Sequence, residues 1–273
     1  MSTRRLALVL LMLSGLLLAG PARANRYDLM LGRYLSDTCD TACAQQHFED
    51  LMGELGQITA PVILAPAETL GLNGFTFAFE GTVVPISHDE DFWTVPTEGD
   101  PSSVLFIPRL HLRKGLPFSF EVGTQLAYIP ESELFSIGAE IKWALNEGFH
   151  YIPDLAVRAA INHTVGAKEF ELTSGGWDVS LSKAFGLGGM LALTPYAGYN
   201  MLFIHASSHV VIAPQDDGTF TNWVFNEVNW QDNMYHRFFV GLRLTTFIFQ
   251  VVAEGTFTLD GLSMFNFKLG FDY

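Results

Sequence analysis

From Leu70 onward, hydrophobic and polar positions alternate with a period of two. Phe75, Phe77 and Phe79 alternate with Thr76, Ala78 and Glu80, and Phe118, Phe120 and Val122 with Ser119, Glu121 and Gly123. The same beat runs through Ile137 to Trp143, Leu155 to Asn162, Trp177 to Ser182 and Phe238 to Leu244. In a strand, successive side chains point to opposite faces, so each segment has one apolar and one polar face. Ten such segments are predicted, near 72–85, 103–114, 117–129, 133–146, 152–164, 174–185, 189–206, 235–246, 248–259 and 262–273. Repeated alternating segments of about ten residues are the pattern of a membrane β-barrel. Before Leu70 the period differs. Phe48, Leu51, Met52 and Leu55 recur at i, i+3, i+4 and i+7, with Gly56 as a stop. This predicts a short amphipathic helix over Ala42–Leu55 on the side of the short turns, where it plugs the mouth, caps it or hangs loosely tethered beside it. The chain thus divides into a segment 25–70 holding the helix and a barrel over 71–273.

Loop lengths orient the strands. The two longest connections, near 86–102 and 207–234, follow the first and seventh strands. Short turns such as Lys114-Gly-Leu-Pro117 and Phe185-Gly-Leu-Gly-Gly189 fall at the opposite end. Membrane barrels have short periplasmic turns and longer external loops, so the long connections are expected outside. Twelve strands result if 207–228 forms an extra hairpin. A soluble barrel would bury the same apolar face. Against it stand only five lysines after residue 24, a polar face crowded with Gly123, Gly138, Gly241, Gly270, Ser180 and Ser182, and large aromatics with no partner layer to cover them.

The last segment is Phe265-Asn-Phe-Lys-Leu-Gly-Phe-Asp-Tyr273. Phe267, Leu269, Phe271 and Tyr273 share one face, and the chain stops on an aromatic residue. This resembles the terminal strand of bacterial outer-membrane β-barrel proteins, except that Gly270 lies nearer the end than that family usually places a glycine. The resemblance implies an all-β, antiparallel transmembrane barrel of about ten strands with Phe267 to Tyr273 as its insertion signal. It also implies two partners, outer-membrane lipid and the barrel-assembly machinery.

The N-terminus reads as an export signal. Arg4 and Arg5 precede a nearly all-apolar run from Leu6 to Leu18, and Ala22-Arg-Ala24 is an A-x-A cleavage site. Cleavage after Ala24 removes three arginines and takes the net charge from −14 to −17. So acidic a chain has no electrostatic reason to bind nucleic acid. No later stretch reaches ~18 uninterrupted apolar residues, so no membrane-spanning helix is predicted. Cys39 and Cys43 are the two cysteines, and export favours a disulfide between them. With only His47 nearby, the pair gives no metal site, and no cofactor motif is present.

On this reading the lumen-facing charges are Glu80, Arg109, Arg113, Glu121, Glu140, Lys142, Arg158, Asp178, Arg243, Glu254, Lys268 and Asp272. Six acids face six bases, and buried charges need partners. One reading is an ionic core that fills and holds a narrow barrel. Another makes the Arg109–His111–Arg113 row an anion filter in a small-solute channel. A third rests on His205-Ala-Ser207, where histidine and serine share a strand face. That pair resembles the His-x-Ser of outer-membrane lipid A deacylases, although the asparagine and glycine that follow in that family are absent here. Asp89-Glu-Asp91, Glu98, Asp100, Asp216-Asp217, Glu227 and Asp232, with Trp93, Trp223 and Trp230, form an acidic, aromatic set in the long loops. It lacks the ligand spacing of an EF-hand. The expected role is a non-enzymatic barrel with a structural or surface-interaction function, its solute or surface ligand unspecified by the sequence.

Overall fold

The computed structural model describes residues 27–35, 39–97, 99–149, 151–214, 220–231 and 233–273. The export signal over 1–24 lies outside the described residues, as do Glu98, Asp216, Asp217 and Asp232.

The strands are β1 (Phe75–Pro85), β2 (Val104–Leu116), β3 (Phe120–Tyr128), β4 (Phe135–Asn146), β5 (Asp154–Val165), β6 (Phe170–Ser182), β7 (Phe185–Leu187), β8 (Leu191–Ser208), β9 (Val211–Pro214), β10 (Phe220–Trp223), β11 (Met234–Thr246), β12 (Phe249–Thr258) and β13 (Met264–Asp272). Ten of them form one closed antiparallel barrel, in the order β1-β2-β3-β4-β5-β6-β8-β11-β12-β13, with β13 returning to β1. β7 only extends the base of β8. The hairpin considered for a twelve-strand barrel does form, as β9 and β10, but those two pair with each other and stand apart from the barrel wall. Closure leaves the ten barrel strands no free sheet edge.

The alternation sorts the two faces as the period demands. Phe79, Phe106, Ile137, Trp177, Phe238, Val251 and Phe267 point outward and are exposed, while Glu80, Arg109, Asp178, Glu254 and Lys268 point inward and are buried. Short turns join strands at one end, as at Pro117–Ser119 and at 247–248. The long connections 86–103 and 209–233 lie at the other end.

The inner wall is itself divided along the axis. Towards the long loops it is apolar, with Val84, Ile107, Leu172, Leu202 and Ile204. Towards the short turns it is charged. Helix α1 (Thr41–Thr59) fills the apolar half, burying Phe48, Leu51, Met52, Leu55 and Ile58 in that core. The expectation of a helix at the short-turn mouth is therefore corrected. The apolar stripe of α1 matches the only half of the wall that can bury it without stranding charges. A short helix, α2 (Asp91–Thr94), lies in the β1–β2 connection.

The helix also outruns its predicted end at Leu55. Gly56 is a point of close approach and not a stop, since a Cβ there would lie 2.6 Å from Ile204 Cδ1. Helix α1 begins where the Asp40 side chain accepts from the Cys43 amide. It ends at Ala60, whose extended ψ of 152° precedes Pro61.

Candidate functional site

After α1 the chain runs down the remaining lumen as an extended strap, residues 60–70, with Pro61 and Pro66 breaking any regular element. The wall grips its backbone. Arg109 donates to the Ile58 carbonyl at 2.8 Å and to that of Ala60 at 3.5 Å. Asn162 donates to Thr59 at 2.7 Å, Arg237 to Pro61 at 3.3 Å and Arg158 to Val62 at 2.8 Å. Lys268 donates to Leu64 at 2.7 Å, and Lys142 to Pro66 and Glu68 at 3.3 and 2.9 Å. Strap amides are bound in turn. Leu64 N donates to Glu254 at 3.0 Å, Ala67 N to the Ser182 hydroxyl at 3.0 Å, Thr69 N to Glu147 at 2.7 Å and Leu70 N to Glu121 at 3.1 Å. A buried, irregular backbone needs partners for its polar groups, and charged and polar wall side chains supply those named. Val62, Ile63 and Leu64 meanwhile pack on Tyr196, Phe239 and Val252.

The predicted lumen charges are brought together. Glu80 meets His111 Nδ1 at 2.9 Å, and His111 Nε2 meets Glu140 at 3.2 Å. Glu140 pairs with Arg158 at 2.6 Å, and Arg158 with Asp178 at 2.7 Å. A second group links Arg113 to Glu121 at 2.9 Å and Glu121 to Lys142 at 3.4 Å. Arg243 pairs with Glu68 of the strap. Asp272 accepts from Thr76 and Gln250. Arg109 has no acid partner within salt-bridge distance among the described residues; its hydrogen bonds go to the Thr82 hydroxyl and the strap. The Arg109–His111–Arg113 row thus contacts the strap through Arg109 and acids through His111 and Arg113.

Arg237 was missed by sequence reasoning. It shares parity with Phe239, Gly241 and Arg243, which was the available signal, but it sits at the edge of an aromatic run. It is buried and bridges Asn200 at 2.7 Å to the strap. Glu68 and Glu147 were missed because no periodicity marks them, and Glu54 because it lies on the predicted helix outside its apolar stripe. Glu54 anchors α1 to the β1–β2 connection by accepting from Trp93 Nε1 at 2.8 Å and from Ser87. Trp93 is accordingly an internal anchor and not a surface aromatic; it is 1% exposed.

His205 and Ser207 lie on the outward face of β8. The His205 ring stacks on Trp230 with centroids 5.4 Å apart, and Nδ1 is 2.9 Å from the Val228 carbonyl. Ser207 lies opposite Glu171 across the ladder. Cys39 and Cys43 are disulfide-bonded, their Cα atoms 5.4 Å apart, and His47 Nδ1 lies 3.9 Å from Cys39 Sγ.

At the long-loop mouth, residues 27–35 and the connections fold over α1. Tyr27 N donates to Glu131 O at 2.9 Å, Met30 N to Pro96 O at 2.9 Å and Leu31 N to Glu169 at 2.6 Å. Burial, then Asp50, pushes the Tyr34 phenol well above its usual range, and its hydroxyl donates to Phe92 O. Burial likewise raises the Glu169 carboxyl. Phe48 stacks on Phe225 with ring centroids 4.9 Å apart. A cleft of about 640 Å³ remains beside α1, lined by Glu49, Asp50, Glu54, Glu90 and Asp260 among others.

No protein-family model and no curated protein matches the chain. Solved structures do. The KdgM porin is 6% identical with a TM-score of 0.34, over 72% of this chain and 98% of that one. The Acinetobacter baumannii outer membrane protein Omp33 is 11% identical with a TM-score of 0.30, over 75% and 99%. An outer membrane channel from Pseudomonas putida F1 is 8% identical with a TM-score of 0.30, over 78% and 100%.

Proposed function

We propose that this chain is an integral outer-membrane β-barrel sealed along its axis by its own N-terminal segment, with a non-enzymatic, structural or surface-interaction role. The observation that carries the reading is the strap. Carbonyls from Ile58 to Glu68 are held by Arg109, Asn162, Arg237, Arg158, Lys268 and Lys142, so the ionic half of the lumen is spent on the chain itself. Membrane residence is supported by the continuous outward set of Phe, Leu, Ile, Val and Trp side chains, which no other described part of the chain covers. Orientation follows the loop lengths, with 86–103 and 209–233 outside. The test is fractionation of cells expressing the full chain, read with heat-modifiable gel migration. A band in the outer-membrane fraction that resists carbonate extraction and shifts on boiling is expected. A soluble band that does not shift would overturn the reading.

A further inference from the structure

The direction of the chain through the barrel has a functional consequence. Contacts descend the axis in sequence order. Tyr27 bonds the β3–β4 connection, Met30 the β1–β2 connection and Leu31 the β5–β6 connection, all at the long-loop end. Gln45 then exchanges bonds with Asn226 of the β8–β11 connection, and Gln57 accepts from Leu262 of the β12–β13 connection. Ile58 meets Arg109, Leu64 meets Lys268, and Thr69 meets Glu147 of the β4–β5 turn at the short-turn end. Finally Gly74 accepts from Gly115 at the base of β2, and β1 starts back up the wall. The described chain thus begins at the mouth opposite to that where its barrel begins.

We infer that the barrel carries its own N-terminal segment through its lumen to the cell exterior, so that residues 27–35 lie folded over α1 at the outer mouth with Met30 exposed there. The occupant of the lumen is the chain's own helix and extended strap, and the wall is suited to them. Wall donors take backbone carbonyls, which every residue has, while Val62, Ile63 and Leu64 add apolar packing and Glu68 an ion pair with Arg243. The exposed Met30 and the bonds of Tyr27 and Met30 to external connections put the first described residues beside loops 86–103 and 129–134. The inference rests on the proposed outer-membrane orientation.

Both can be tested together in intact cells, since Cys39 and Cys43 are paired and leave no thiol to compete. Full-length Met30→Cys, Asp100→Cys and Phe118→Cys are treated with a membrane-impermeant maleimide. Asp100 lies in the β1–β2 connection and reports orientation; Phe118 lies in a short turn and is 87% exposed. Labelling of Met30→Cys to the same extent as Asp100→Cys, with Phe118→Cys labelled only after permeabilisation, is expected. Met30→Cys that labels only after permeabilisation while Asp100→Cys labels on intact cells overturns the inference and leaves the orientation standing. Labelling of Phe118→Cys alone on intact cells overturns both. An epitope placed after Asn25 gives an independent readout. External protease should remove it from intact cells, and its survival counts against an exterior N-terminal segment.

Discussion

Lys268 Nζ sits 2.7 Å from the carbonyl of Leu64, joining the last strand of the barrel to a strap 204 residues earlier in the chain. Lys268 is 1% exposed. The contact has two consequences. The strap fastens the final strand to the interior, and the final strand closes the wall against β1.

Replacing Lys268 with Met should keep the aliphatic stem and remove the donor. The Leu64 carbonyl is then left without that partner inside the barrel, at about 1–3 kcal/mol. A lower urea midpoint for the heat-modifiable shift is expected. An unchanged midpoint would mean that the strap is not held by the wall.

Glu121→Ala removes the acid shared by Arg113, Lys142 and the Leu70 amide. Breaking a buried pair from one side leaves an uncompensated charge, costing about 3–5 kcal/mol. The same change in a solvated pore would cost under about 1 kcal/mol, as for exposed pairs. The urea midpoint separates the two.

Much of this was readable in the sequence, and the division has a physical cause. Alternation depends on nearest neighbours, so it placed Glu80, His111, Glu121, Arg158 and Lys268 on one face without any tertiary information. The strap has no period, and its partners lie far along the chain, so Leu64 gave no sign of Lys268 or Glu254. Gly56 looked like a helix stop because glycine usually is one near a helix end. Only the position of Ile204 on β8 reveals that the missing side chain is what admits it. The axial division of the wall was also hidden. It needs the register of all ten strands to show that Ile107, Leu172 and Ile204 line the half that takes α1, and Glu121, Lys142 and Lys268 the half that takes the strap.

Gly56→Leu tests that packing. The added side chain meets Ile204 at 2.6 Å from its first carbon, and overpacking of this kind costs about 1–3 kcal/mol. The Ile204→Ala change alone should also destabilise, by about 2–5 kcal/mol through the cavity it leaves. Combined, the two should cost clearly less than their sum, because the leucine refills the space. Additive effects would place α1 away from β8.

The outer end should respond to pH through Glu169. Its carboxyl is raised by burial while accepting from the Leu31 amide. A raised folded value means that the docked state prefers the protonated acid. That contribution is fully present below the ordinary carboxyl value and is lost as pH rises through the folded one. External proteolysis of residues 27–35 should therefore slow as pH falls from 7 towards 4. In Glu169→Gln, which keeps an acceptor for Leu31, the rate should lose this dependence on pH. Faster cleavage at low pH in the wild type alone would reverse the sign and refute the assignment.

Removal of Phe271 to Tyr273 should open the seam. Phe271 pairs with Phe77, and Tyr273 and Phe75 exchange backbone bonds at 2.8 and 2.9 Å. The truncated chain should fail to reach the membrane and should lose its boiling-dependent shift; normal insertion would show that another strand pair closes the wall.

The central claim is that the lumen is sealed by the strap, and conductance across a planar bilayer tests it most directly. Full-length protein whose insertion is established by heat-modifiable migration from the same preparation should give no stepwise current. Steady, reproducible conductance steps from the unmodified chain would contradict the account and make the barrel an open channel.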